Sequence, residues 1–171
     1  MSDILQVDGV SKSFGGVVAN NGVSLTVPQG KIVGLIGPNG SGKTTLFNSI
    51  VGYHPIDGGS IRFEGREITA LRVPDIARLR LLRTFQQTRI YGAMNCLENM
   101  AISTRESGIS LGAMFARPSP ETHERAEALL EFVGLHAKRF LRAGELSFGH
   151  QKLLEFAMAL MAEPKLLLLD E

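Results

Sequence analysis

The sequence predicts a mixed α/β fold, strand-rich at its start and helical from the middle onward. Three observations carry this: apolar residues alternate before position 37, a glycine-rich run lies between a strand pattern and a helix pattern, and a wholly apolar run ends in two carboxylates. With 171 residues and 44% apolar side chains the chain can bury one domain core, which excludes a disordered or collagen-like class.

Val23, Leu25 and Val27 alternate with Ser24 and Thr26 as a strand, and Pro28-Gln29-Gly30 supplies a turn. Lys31 to Ile36 reads as a buried strand. After the glycine-rich run, Thr45 to Val51 places Leu46, Phe47, Ile50 and Val51 at helical spacing, closed by Gly52. Asp57-Gly58-Gly59 breaks the chain, and Ser60 to Ile68 alternates around Ile61 and Phe63 with a turn at Gly65. From about Val73, VPDIARLRLLRTF sets Ile76, Leu79 and Arg83 at helical spacing, and strand signals then disappear for many residues. Arg105 to Pro120, rich in Ser, Gly and Pro, reads as a linker or surface loop. Ser119 is an N-cap with Pro120 at the first helical position, and Ala126, Leu129, Leu130 and Val133 form one apolar face before Gly134. Ser147 caps another helix with the face Leu153, Phe156, Ala157 and Leu160, ended by Pro164. Leu166 to Leu169 then reads as a buried parallel strand. The sequence shows no internal repeat and no low-complexity segment.

Eighteen Lys and Arg against 17 Asp and Glu leave a formal net charge of +1, too balanced for a chain that coats nucleic acid. The single cysteine, Cys96, excludes an intramolecular disulfide scaffold and reads as a small buried hydrophobe in a reducing compartment. The longest apolar run, Phe156 to Ala162, is seven residues, against about 20 for a membrane-spanning helix. Asp3 and Asp8 interrupt the start of the chain, which has no secretory signal pattern, so the cytoplasm is the expected location.

Gly37-Pro38-Asn39-Gly40-Ser41-Gly42-Lys43-Thr44 fits G-x-x-x-x-G-K-[ST] between a predicted strand and a predicted helix. The glycines let backbone N–H groups wrap phosphate oxygens at a helix N-terminus. Lys43 adds a positive charge at the β- and γ-phosphates, and the Thr44 hydroxyl can ligate Mg²⁺. The bland alternative is a turn that merely caps a helix. Leu166 to Leu169 followed by Asp170 and Glu171 matches a Walker B segment; taken alone it would as readily be a solvated strand end.

Together the phosphate loop, Gln86, LSFGHQ at Leu146 to Gln151, and LLLLDE resemble the nucleotide-binding subunit of an ABC transporter over essentially the whole chain. The resemblance implies a P-loop NTPase fold with an N-terminal antiparallel β subdomain, a helical subdomain, and the C-terminal part of the core sheet missing. It divides the chain into a β-rich and phosphate-loop core (1–86), a helical subdomain (87–150), and the signature helix with the Walker B strand (151–171). It implies that Phe14 stacks on adenine, with core packing as the alternative, and that the run from Gly37 through Thr45 contacts ATP. Gln86 is then the Q-loop residue sensing Mg²⁺ and the attacking water, a role that Gln87 does not share. Asp170 holds Mg²⁺ through water with Thr44 and Gln86, and Glu171 is the general base beside Lys43. Ile90, Tyr91 and Met94 would anchor a permease or fill the helical subdomain. The family's LSGGQ segment reads LSFGH here, with Phe148 and His150 as departures; Ser147 and Gly149 remain to reach the γ-phosphate held by the opposite subunit. His150 reads as solvated or capping rather than as a titrating switch. The aromatic at position 148, RTFQQTRIYGAMNCLENM and LLEFAMALMAEPKLLLLDE are similar to the subgroup serving branched-chain amino acid importers, with urea or other amide importers as the rival.

In the family the chain continues past the Walker B glutamate with a D-loop, a strand and a switch histidine. His54, His123, His136 and His150 all precede Glu171. The expectation is therefore a partial sequence whose isolated chain is a weak or inactive ATPase, with a gap left in the sheet. The implied cofactors are ATP and Mg²⁺. The implied partners are membrane permease subunits, a second identical or paralogous ATP-binding subunit, and a periplasmic or extracellular solute-binding protein, with no nucleic acid. The implied location is cytoplasmic, peripheral on the inner face of the membrane. Two readings of another class are a soluble ABC ATPase acting on DNA or ribosomes and a non-catalytic interaction fragment. The 104 positions from Lys43 to Ser147 hold no long heptad run, which disfavours the first.

Overall fold

The computed structural model describes residues 2–83, 90–103 and 119–170. Residues 2–83 with Asp170 form one compact unit, and the described residues from 90 to 169 form a second.

The first unit is built on an antiparallel sheet. Strands β1 (Asp3–Phe14), β2 (Val17–Pro28), β3 (Gly58–Phe63) and β4 (Arg66–Glu67) lie in the order β2-β1-β3-β4. Val7 pairs with Leu25 on one side and Ile61 on the other, and Leu5 pairs with Phe63. Leu5, Val7, Ile61 and Phe63 are buried while Gln6 and Arg62 are not, so the alternation seen in the sequence becomes a core face and an outer face. The predicted turn at Pro28 closes, with Lys31 N–H donating to the Pro28 carbonyl at 3.2 Å. The turn at Gly65 separates β3 from β4, as expected.

Helix α1 (Lys43–Ile50) follows the glycine-rich run and buries Leu46, Ser49 and Ile50. Two expectations around it are corrected. Lys31 to Ile36 is not a buried strand: it carries no strand pairing, and Ile32 and Ile36 are wholly exposed. Among the described residues no strand lies beside it, and an extended apolar segment becomes a buried strand only when neighbours take up its N–H and C=O groups. The helix begun at Val73 is also shorter than its spacing suggests. Helix α2 (Val73–Arg78) stops at Leu79, Arg80 takes a left-handed backbone with φ +68°, and Leu81–Arg83 forms strand β5. Six residues of RLRLLR satisfy both periods, and the left-handed Arg80 decides between them.

The second unit is helical. Helices α3 (Cys96–Ser103), α4 (Pro120–Phe132) and α5 (Phe148–Met161) enclose a core of Cys96, Met100, Ala126, Leu130, Leu135, Ala143, Leu146, Leu154, Ala157 and Met161. Each fully buried leucine contributes about 2 kcal/mol relative to exposure. Asn95 and Glu98 open α3 as a reciprocal cap, each side chain accepting the other's backbone N–H at 2.8 Å. Ser119 caps α4 by accepting the Thr122 N–H at 3.2 Å, and Ala126 and Leu130 are buried as the spacing predicts. Ser147 caps α5, but the buried stripe is Leu154, Ala157 and Met161, while Leu153 is exposed and Phe156 and Leu160 are half-buried. This helix is apolar around most of its circumference, so periodicity alone does not select the face. Burial pushes the Cys96 thiol up, in keeping with a small core hydrophobe. The final strand β6 (Leu166–Leu168) is shorter than expected: Leu168 is buried, but Leu169 is exposed.

Candidate functional site

In the first unit the glycine-rich run closes on its own lysine. Lys43 Nζ donates to the carbonyls of Gly37 at 2.7 Å and Pro38 at 2.9 Å, and the Ser41 N–H donates to the Pro38 carbonyl at 3.2 Å. Gly42 makes the entry to α1 possible. Its φ is +90°, and a Cβ there would lie 2.2 Å from the Ala19 carbonyl oxygen, so neither the torsion nor the space admits another residue. The Gly42 carbonyl accepts the first helical bond from Leu46 at 2.9 Å and a second from Asn20 Nδ2 at 3.2 Å, tying the loop to β2. A Cβ at Gly37 would sit 2.7 Å from Ser41 Oγ, so the cradle is narrow. Helix α1 has no side-chain cap and no acidic residue in its first turn. Its leading N–H groups, its dipole and the Lys43 ammonium together suit an anion.

Thr44 and Asn48 are four apart on α1 and share a face. That face leads to the acid predicted at the strand end. Arg83, at the end of β5, donates one terminal nitrogen to Asn48 Oδ1 and the other to Asp170 Oδ2, the latter at 2.6 Å. The Arg83 and Asp170 side chains are only 6% and 5% exposed. No pattern in the sequence pointed to Arg83 or Asn48; the sole local hint is that Asn48 falls one helical turn after Thr44. Among the described residues no group of three or more His, Cys, Asp and Glu stands together. The oxygen donors present, one hydroxyl and one carboxylate, suit a Mg²⁺ ion that keeps waters and shares substrate phosphates, not a caged metal.

Phe14 is 45% exposed, so it is not a core residue. Its ring meets His54 edge-on with centroids 5.1 Å apart, and Lys12 Nζ lies 5.3 Å from its centre. Lys12 is held in turn by Asp57 at 2.9 Å. The Lys12 hydrogen bond, followed by the Ser13 N–H, keeps the Asp57 carboxyl below its ordinary value.

In the second unit Ser147, Phe148 and Gly149 are exposed at the start of α5. The Ser147 hydroxyl accepts the His150 N–H at 3.4 Å and lies 2.8 Å from His150 Nδ1, and Lys138 Nζ is 3.2 Å from the same ring nitrogen. His150 is thus engaged with the cap. A Cβ at Gly149 would meet nothing within 4 Å. Tyr91 is exposed, Met94 is half-buried, and Ile90 packs against the helical core. The loop holding these three is fastened by the fully buried Asn99, which accepts the Tyr91 N–H at 2.7 Å and donates to the Tyr91 carbonyl at 3.1 Å. Gln86, Gln87 and Glu171 lie outside the described residues.

The ABC transporter family model matches residues 20–171. The chain is 39% identical to the high-affinity branched-chain amino acid transport ATP-binding protein BraF of Pseudomonas aeruginosa, across 98% of this chain and 69% of that protein. It is 40% identical to a probable branched-chain amino acid transport ATP-binding protein, LivG, of Archaeoglobus fulgidus, across 98% and 67%. Among solved structures, the ADP conformation of MJ1267, an ATP-binding cassette of an ABC transporter, superposes with a TM-score of 0.83 at 37% identity, over 98% of this chain and 68% of that one.

Proposed function

The chain belongs to the ABC transporter family, whose cassettes bind and hydrolyse ATP, and from that premise we propose that it is the ATPase subunit of an importer for branched-chain amino acids. The observation that carries the nucleotide reading is the glycine loop, closed on Lys43 at the uncapped start of α1. The names of its relatives carry the solute class.

On binding, the N–H groups of Gly40 to Thr45 take phosphate oxygens, and Lys43 exchanges the Gly37 and Pro38 carbonyls for the β- and γ-phosphates. Phe14 offers its exposed ring to adenine. Thr44 and Asp170, with Gln86, are the donors that would hold Mg²⁺, which when bound neutralises charge on the phosphates. Gln86 orients the attacking water and Glu171 takes its proton. A second cassette, docked head to tail, presents its own Ser147 and Gly149 to the γ-phosphate at the start of α5. Closure and reopening of that pair drive a permease, which Tyr91 and its neighbours contact, and a solute-binding protein delivers the cargo. No helix among the described residues is long and apolar enough to cross a membrane, in keeping with a cassette that sits peripherally beneath its permease.

Equilibrium Mg-ATP binding tests the nucleotide reading. Lys43→Ala is expected to weaken binding about 100-fold through loss of a charge-assisted contact. Equal binding by the variant would refute it. Leucine-stimulated hydrolysis in proteoliposomes with the cognate permease tests the solute, and stimulation by urea instead would overturn that part.

A further inference from the structure

Arg83 is committed at both terminal nitrogens, to Asn48 on α1 and to Asp170, while its buried Nε finds no partner among the described residues. Stability alone is a weak reason to bury such a pair, because desolvation offsets most of the attraction. The position of the pair is more informative. Asp170 is the carboxylate expected to meet a divalent cation, and one of its oxygens is already bonded to a fixed positive charge. A cation approaching the same carboxylate meets a like charge close by, with little water between to screen it. A lysine would supply the charge without the fork that also grips Asn48, so the arginine ties the acid to the helix that begins at the phosphate loop.

We propose that Arg83 is the resident counter-charge of Asp170: a positioning residue, held by Asn48, that compensates the carboxylate when no metal is bound and lowers the affinity of the nucleotide site for its divalent cation. The inference rests on the reading of Asp170 as the metal-side acid. Arg83 and the metal then share one carboxylate, and the metal-nucleotide complex leaves more readily than it would from an uncompensated aspartate.

The measurement is the ratio of ATP affinity in saturating Mg²⁺ to that in EDTA, taken on the full chain with no hydrolysis readout. Arg83→Gln is expected to raise the ratio about tenfold, and Arg83→Lys to leave it within about threefold. Asp170→Asn should lower the ratio and abolish the effect of Arg83→Gln. A ratio that Arg83→Gln leaves unchanged or lowers overturns the proposal alone, as does a tenfold rise in Arg83→Lys. A ratio indifferent to Asp170→Asn overturns the metal reading and this proposal with it. Should Arg83→Gln not fold, the double variant with Asp170→Asn decides the matter: recovered folding supports an uncompensated carboxylate as the cause, and continued failure overturns it.

Discussion

The glycine loop and the six residues that lead into it are adjacent in the chain and behave oppositely. From Gly37 to Thr44 most of the bonding is local: Lys43 bonds carbonyls five and six residues back, and the left-handed Gly42 opens α1. Lys31 to Ile36 carries Ile32, Val33, Leu35 and Ile36, yet it lies exposed with no ladder partner among the described residues. The loop closes on its own lysine and needs only one further anchor, Asn20 and Ala19 on β2, whereas a strand of a sheet is made by its neighbours along its whole length. The same contrast separates the helical core, where α3, α4 and α5 close around one another, from this exposed segment.

The largest effect is expected of Gly42→Ala, which forces a Cβ onto the Ala19 carbonyl at positive φ. A loss on the order of 4 kcal/mol in urea denaturation is expected; wild-type stability would mean that the loop does not depend on this torsion. Next, Leu130→Ala should remove about 3 kcal/mol from the helical core, while Ile36→Ala should change stability by less than about 0.5 kcal/mol. Equal effects would show that Ile36 is buried in solution. Smaller again, Ser119→Ala and Ser147→Ala should each cost about 1 kcal/mol, because each removes one N-cap acceptor. If only Ser119→Ala destabilises, the Ser147 hydroxyl is held for another purpose.

The smallest effect is acid sensitivity at Asp57. Its folded value lies below its unfolded one, so the unfolded chain binds more protons in acid. The stabilisation is complete above about pH 4 and fades as the pH falls through the lowered folded value. Lys12→Met should flatten this acid limb in denaturation curves taken between about pH 4 and pH 2. An unchanged limb would show that the Lys12 contact contributes nothing.

Legibility followed the same division. Ser119 with Pro120, the glycine loop and the alternation of β2 and β3 are readable in the sequence because cap, turn and pleat are chemistry within a few residues. Residues 79–83 carry helical spacing in the sequence, yet Leu81–Arg83 form a strand instead, because a short alternating run fits both periods until Arg80 turns left-handed. The stripe on α5 was displaced from Leu153 to Leu154 because a helix apolar on several sides leaves the choice to its neighbours. Asn99, fully buried and holding the Tyr91 loop, looks in sequence like any polar residue on a helix.

The glycine loop, the Ser119 and Ser147 caps and the acid at the end of the leucine run follow from the sequence alone, since each is specified by residue types at fixed short spacing. Which apolar segments are covered, and that Asp170 pairs with Arg83, a residue 87 positions earlier, depends on the folded arrangement. Local bonds are settled by covalent neighbours, but burial and ion pairing between distant residues exist only once the chain has brought them together.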